Sequence, residues 1–84
     1  MERHKLVVII PALNEEKSVL SVIKKVTKYA EVILVNDGST DNTAFLARQA
    51  GATVVDHSFN LGYDASLNTG FKKASDLNFE YAIT

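Results

Sequence analysis

Residues Glu31–Thr43 read EVILVNDGSTDNT, and this stretch decides the fold. Its first half contains Val32–Val35, a run that is aliphatic at every position. A strand that is apolar on both faces is typical of the interior of a parallel sheet covered by helices. The second half, Asn36–Asp41, consists almost entirely of residues that favour turns and helix N-caps. We therefore predict a buried strand, a polar turn and a helix, the arrangement in which open α/β sheets bind ligands beyond the carboxyl ends of their strands.

Length and composition exclude several classes of protein. The chain has 84 residues, enough for at most one small domain. The net charge is −1 and no basic patch is interleaved with aromatic residues, which argues against nucleic acid as a partner. The absence of cysteine excludes disulfides and thiolate chemistry and favours a reducing compartment, so we expect a cytoplasmic protein. The longest apolar run, Leu6–Ile10, is too short to span a bilayer, and we expect no membrane segment in this chain.

Strands and helices alternate along the chain. The predicted strands are Lys5–Ile10, Glu31–Asn36, Ala52–Asp56 and Phe79–Thr84. The predicted helices run from Asn14 to about Tyr29, from about Asn42 to Ala50, and from Asp64 to about Ala74. Short connections and right-handed crossovers then favour a Rossmann-like, doubly wound parallel sheet, for which we predict the strand order 3-2-1-4.

Local signals set the expected boundaries of these elements. Pro11 should end the first strand, because proline cannot continue a central ladder. Asn14 should cap the first helix, with Glu15 and Glu16 in its first turn. Asp41 is interpreted as a cap of the second helix rather than as a ligand contact.

The polar turns after the first three strands, Pro11–Glu16, Asn36–Asp41 and His57–Asp64, should line one edge of the sheet. They offer helix N-termini suited to phosphate, and carboxylates that accept hydrogen bonds from base N–H groups and ribose hydroxyls. A nucleotide satisfies both kinds of group. Neither a Gly-x-Gly-x-x-Gly fingerprint nor a P-loop is present. A phosphoacceptor receiver stays open as a partial match, because Asp56 ends a strand and Glu15-Glu16 follows another.

Several of these residues also have a structural interpretation. Asp37 can be a turn residue, Glu15 and Glu16 can complement the helix dipole, and Asn60 and Gly62 can shape a loop. His4 and His57 have no partners at metal-ligand spacing, and we interpret both as surface residues. The three tyrosines are interpreted as packing residues rather than as platforms for base stacking. They are Tyr29, Tyr63 and Tyr81.

Four segments taken together resemble the family 2 glycosyltransferases, which have the GT-A fold. They are Val8–Glu16, Val35–Thr43, Asn60–Gly62 and Asn68–Phe71. The sequence looks nearest to the dolichol- or polyprenyl-phosphate sugar transferases, and the resemblance extends from about Lys5 to Thr84. It implies transfer of a sugar from a UDP- or GDP-linked donor to an acceptor such as polyprenyl phosphate, with the parent enzyme at the cytoplasmic face of a membrane.

The resemblance also implies a set of nucleotide-binding residues. Pro11, Ala12, Asn14 and Glu15 would frame the nucleotide. Asp37, followed by Gly38, would bind the base, and Asn60 and Gly62 would belong to the loop on the nucleotide side. Position 64 is often glycine in the family and is aspartate here.

No catalytic residue and no metal ligand is assigned within this chain. In relatives, the strand that matches Phe79–Thr84 leads into an Asp-x-Asp motif that holds Mg²⁺ or Mn²⁺, so we interpret the chain as a nucleotide-binding half-domain and expect it to be inactive alone. The alternative is a non-catalytic nucleotide-binding or structural fragment. Because the outer edge of the fourth strand carries only Glu80 as a protective charge, we also expect a homodimer through that strand.

Overall fold

The computed structural model describes residues 4–84, and the side chain of His4, which we interpreted as a surface residue, lies outside what it describes. Strands and helices alternate throughout, as the sequence predicts. The strands are β1 (His4–Ala12), β2 (Glu31–Asn36), β3 (Thr53–Asp56) and β4 (Phe79–Ile83). The helices are α1 (Val19–Val26), α2 (Thr43–Gln49) and α3 (Tyr63–Asp76).

The four strands form one parallel sheet in the order β3-β2-β1-β4, which confirms the predicted topology. Ile9 pairs with Ile33 between β1 and β2, and Ile33 pairs with Thr53 between β2 and β3. On the other side of β1, Val8 pairs with Ile83. Along the chain, the sheet grows from β1 to β2 and β3 on one side. After β3 the chain returns to the other side of β1, where it forms β4.

Each face of the sheet has its own apolar core. Helices α1 and α2 cover one face, where the buried residues are Ala12, Val19, Ile23, Val32, Leu34 and Ala47. Helix α3 covers the other face, where they are Val7, Ile9, Ile33, Val35 and Ala74. Gly70 lets α3 approach the sheet closely, because a Cβ at this position would clash with the side chain of Ile9. The fully apolar run of β2 is thus buried from both sides, as predicted.

Strand β1 continues through Pro11 to Ala12, so our prediction that Pro11 ends the strand is wrong. The oxygen of Ala12 accepts a hydrogen bond from the N–H of Asp37, which directs the backbone polar groups of Ala12 towards β2. Its neighbour Pro11 therefore faces the opposite side, where the pairing with β4 has already stopped at Val8. The missing N–H of Pro11 costs no ladder bond at this point.

Helix α1 begins at Val19, five residues after its predicted start at Asn14. Asn14 has φ 54°, a left-handed conformation, whereas an N-cap residue normally has an extended backbone. Residues 15–18 form a turn in which the N–H of Val19 donates to the oxygen of Glu15 (2.9 Å), and the regular helix starts at Val19. Asn14 is therefore not the cap of α1, and its actual partners lie in another turn.

Helix α3 begins one residue before the predicted cap, Asp64. Its N-cap is Gly62, with φ 103°, and Asp64 occupies the first turn. Asp64 does not have a positive φ, so aspartate is accommodated where the family often has glycine.

Candidate functional site

The turn after β1 and the turn after β2 are joined by hydrogen bonds between residues about 25 positions apart. Asn14 is central to this joint. Its N–H donates to Ser39 Oγ (2.8 Å), and its Oδ1 accepts from the N–H of Thr40 (2.9 Å). The left-handed backbone of Asn14 thus places its amide and its side chain against the same neighbouring turn.

The acidic residues of the first two turns continue this joint. Glu15 donates its N–H to Thr43 Oγ1 (2.8 Å), and Glu16 donates its N–H to Asp41 Oδ2 (3.2 Å). In return, Glu16 Oε1 accepts from the N–H of Asn42 (3.3 Å). We call these contacts, together with those of Asn14, the turn joint.

Asp41 accepts hydrogen bonds from the first residue of α2, as the capping interpretation predicts. Its Oδ1 accepts from the N–H of Thr43 (3.0 Å) and from the Thr43 hydroxyl, although the N-cap position itself belongs to Asn42. Partial desolvation opposes ionisation of Asp41, but the hydrogen bonds from Thr43 and from the Glu16 N–H outweigh it and lower the pKa of this carboxyl.

Asp37, directly after β2, binds the loop between β3 and α3. Its Oδ1 accepts from the N–H of Leu61 (2.8 Å), and its Oδ2 accepts from the N–H of Gly62 (2.9 Å). Its Oδ1 also lies 2.9 Å from His57 Nδ1. These bonds, that from His57 first, lower the pKa of Asp37 against an opposing desolvation, so the carboxyl is held in its ionised form. Asp37 is therefore more than a turn residue.

His57 is not a surface residue, and that prediction is wrong. Its side chain is only 9% exposed, because its ring lies between Asp37 on one side and helix α3 on the other. Its second ring nitrogen, Nε2, is 2.8 Å from Thr69 Oγ1. The partners are 20 and 12 residues away along the chain, so local spacing could not reveal them.

Gly38 allows the loop between β3 and α3 to pass directly over the turn after β2. Its φ is 81°, and a Cβ there would lie 2.6 Å from the backbone nitrogen of Asn60 and 2.6 Å from the carbonyl carbon of Phe59. No residue with a side chain fits this position without moving the loop.

A cavity of about 290 Å³ opens between the turn after β1 and the loop between β3 and α3. The predicted residues that line it are Pro11, Ala12, Asp37, Asn60 and Gly62. Three other predicted residues do not: Asn14 and Glu15 belong to the turn joint, and Gly38 lies beneath the loop. The structure thus brings most of the predicted set together around one space.

The sequence did not single out Leu13, Tyr63 and Ser66 as lining residues. Tyr63 is 63% exposed at the rim, and the other two tyrosines are exposed as well, so the packing interpretation of the tyrosines is wrong. Ser66 is fully buried and donates to the oxygen of Gly62 (2.9 Å). Ser66 lies two residues after Asp64, the predicted start of the helix, and no local pattern in the sequence indicates it.

Asp56 takes part in a separate polar cluster at the outer edge of the sheet. Its Oδ1 accepts from Asn36 Nδ2 (2.9 Å), and its Oδ2 pairs with Arg48 (2.7 Å). The hydrogen bond from Asn36, and next that from Arg48, lower the pKa of Asp56. The carboxylate of Asp56 is therefore bound to Asn36 and Arg48, whereas Glu15 and Glu16 belong to the turn joint. The three residues do not form the acidic cluster that a phosphoacceptor receiver would need.

Within residues 4–84, no three histidine, aspartate or glutamate side chains are grouped so that they could hold a metal ion. None of the helices described is long and apolar enough to cross a membrane.

A parallel α/β sheet with a cavity at the carboxyl ends of its strands defines a Rossmann-like α/β domain, and this is the edge at which such sheets bind their ligands. The family comparison makes this specific. The Glycosyl transferase family 2 profile matches residues 7–77, and the chain belongs to this family. The resemblance to the family 2 glycosyltransferases drawn from the sequence motifs is confirmed.

Similar proteins agree with this assignment. Over 54 residues, or 61% of the chain, the sequence is 51% identical to a 4,4'-diaponeurosporenoate glycosyltransferase of Staphylococcus aureus, of which the match covers 14%. Glucosyl-3-phosphoglycerate synthase from Mycobacterium tuberculosis, solved with Mn²⁺, UDP and glucosyl-3-phosphoglycerate, matches with a TM-score of 0.56 and 41% identity, covering 64% of this chain and 21% of that one. The mannosyltransferase PcManGT from Pyrobaculum calidifontis, solved with GDP-Man and Mn²⁺, matches with a TM-score of 0.75 and 24% identity, covering 88% and 25%.

The last of these likenesses concerns the fold alone, and the GT-A type of fold predicted from the resemblance is confirmed. The chain spans 31% or less of the length of the curated relatives it matches.

Proposed function

We propose that this chain is the nucleotide-binding part of a glycosyltransferase that uses a UDP- or GDP-linked sugar. The single observation that carries the proposal is the cavity lined by Asp37, whose carboxylate is kept ionised by the loop around it. Family membership supplies the reaction class, and two solved structures similar to this chain contain UDP and GDP-Man.

The lining of the cavity suits a nucleoside. Pro11, Ala12 and Leu13 provide an apolar wall against which a base can pack. Asp37 provides an acceptor for a ring N–H, and the carboxamide of Asn60 carries donors and an acceptor for the base or the ribose. Glu15 and Asn14 would act indirectly, because the turn joint fixes the wall beside the nucleotide.

The parent enzyme would use Mg²⁺ or Mn²⁺, since both solved structures named above contain Mn²⁺. The residues described here do not fit that ion, because they offer no suitable group of three ligands. We therefore assign neither a metal site nor a catalytic residue to this chain, and we expect it to bind a nucleotide without transferring a sugar.

Polyprenyl phosphate as the acceptor, and a parent at the cytoplasmic face of a membrane, remain part of the proposal. Assays of the parent enzyme with radiolabelled donor would test the acceptor: label extracted into organic solvent with polyprenyl phosphate supports it, and label that stays in water contradicts it. We also propose a homodimer through β4, for which the support is the exposure of Tyr81 and Ile83 on this edge strand.

Calorimetric titration of the 84-residue chain with UDP and GDP, with and without Mn²⁺, tests nucleotide binding. We expect saturable binding of at least one nucleotide that weakens at least tenfold in Asp37→Asn, which replaces one acceptor oxygen by a donor. Asp56→Asn is the matched control, because it makes the same change at a carboxylate outside the cavity and should leave the affinity unchanged. The absence of binding by the folded chain would contradict the proposal and favour a purely structural fragment.

A further inference from the structure

The buried side chain of His57 forms a hydrogen bond with Asp37. The ring nitrogen Nδ1 is 2.9 Å from Asp37 Oδ1, and Nε2 is 2.8 Å from Thr69 Oγ1 on α3. An ionised carboxylate only accepts hydrogen bonds, so Nδ1 carries the hydrogen and donates to Asp37. Each ring nitrogen of His57 therefore has a hydrogen-bonding partner.

This contact limits what Asp37 can offer to a ligand. An ionised carboxylate has about four acceptor positions, two on each oxygen. Both positions on Oδ1 are occupied, one by the Leu61 N–H and one by His57. On Oδ2, the Gly62 N–H occupies one. One position, on Oδ2, remains for a donor in the cavity that Asp37 lines.

We propose that His57 is a specificity-determining residue, because it leaves Asp37 a single acceptor position and so favours uracil over guanine. Uracil has one ring N–H between two carbonyl groups, which matches one acceptor. Guanine presents its N1–H and its exocyclic amine side by side, and the second donor finds no free position on the carboxylate. A donor that is desolvated without a partner weakens binding.

The inference rests on the function proposed above, and it chooses between the two donors that were left open there. Asn60, whose carboxamide has two N–H groups, also lines the cavity and suits a uracil carbonyl. A purely structural role of His57 makes a different prediction, since loosening the loop would weaken all nucleotides by the same factor.

The first test uses ligands alone. Inosine diphosphate matches GDP in size but lacks the exocyclic amine, so it presents a single donor. By calorimetry on the 84-residue chain we expect UDP to bind more tightly than GDP, and inosine diphosphate to bind about tenfold more tightly than GDP. Equal affinities for the two purine nucleotides, or tighter binding of GDP, would overturn the inference.

The second test uses variants. His57→Ala removes one donor from Oδ1, so the carboxylate can turn and offer a second acceptor position to the cavity, and the advantage of inosine diphosphate over GDP should shrink to about threefold or less. His57→Asn places an amide N–H near the position of Nδ1 and should restore the advantage. Thr69→Val is the control, because it removes the anchor of Nε2 and keeps the bond to Asp37, so the ratio should stay as in the unmodified chain.

The outcomes separate the two proposals. If no nucleotide binds, the proposed function fails and this inference fails with it. If nucleotides bind but His57→Ala weakens all of them equally, only the role of His57 is overturned. Should His57→Ala not fold, the ligand series decides, because equal affinities for inosine diphosphate and GDP overturn the inference without any variant.

Discussion

Asn14 Oδ1 accepts the backbone N–H of Thr40 across two turns that belong to different strand–helix units. The bond is 2.9 Å long and joins residues 26 positions apart. Because Asn14 has a positive φ and asparagine tolerates that conformation well, one residue provides both the bend of its own turn and the connection to the next.

Asn14→Ala should destabilise the chain, since it removes the acceptor for Thr40 and places a Cβ-bearing residue without a local hydrogen bond in the left-handed region. We expect a loss of about 1–3 kcal/mol in the free energy of unfolding, measured by urea denaturation. Asn14→Gly separates the two causes, because glycine adopts this φ freely and loses only the hydrogen bond. Equal stability of the alanine and glycine variants would show that the backbone conformation costs nothing here.

Gly38→Ala should destabilise the chain more than Gly51→Ala does. Both glycines have a positive φ, 81° and 101°, so both substitutions carry a backbone cost of about 1–2 kcal/mol. Only at Gly38 would the new Cβ also meet backbone atoms, at 2.6 Å, and overpacking adds about 1–3 kcal/mol. Thermal unfolding of both variants measures the difference. Similar losses would mean that the loop between β3 and α3 moves away at no cost.

Stability should fall in acid. Asp37, Asp41 and Asp56 all have pKa values below the ordinary value in the folded chain. Such groups bind fewer protons folded than unfolded, so their stabilisation is present above the unfolded pKa and is lost as the pH falls through the folded one. We expect the free energy of unfolding to be nearly constant above about pH 5 and to decrease below about pH 4. Asp37→Asn should reduce the steepness of that decrease, and an unchanged slope would contradict the role given to Asp37.

Association through β4 is testable by sedimentation. Tyr81 and Ile83 are 64% and 51% exposed, and the sheet as described has no strand beyond β4. We expect a dimer at micromolar concentration that dissociates in Tyr81→Lys, because lysine at an edge strand opposes pairing with another edge. Tyr29→Lys makes the same change at a residue outside the sheet and should leave the dimer intact. A monomeric unmodified chain would contradict the expectation.

The buried run Val32–Val35 was sufficient to predict the central strand and the sheet, because burial on both faces admits few amino acids. Two of the errors arose where a distant residue changes a local preference. Asn14 has the chemistry of a helix cap, but it binds Ser39 and Thr40 instead. His57 is polar and follows a strand, yet Asp37, 20 residues earlier, takes it out of solvent. Long-range hydrogen bonds of this kind leave no periodic signal in a sequence.

The dependence of the cavity on Asp37 also connects ligand binding to folding. The three hydrogen bonds of its carboxylate join residues 20 to 25 positions apart, so the cavity is complete only when β2 and the segment after β3 have both docked. Any nucleotide that occupies the cavity binds the native chain and not the unfolded one, and mass action then stabilises the entire sheet. The melting temperature should therefore rise with ligand concentration, which makes thermal-shift screening a direct way to find the natural nucleotide.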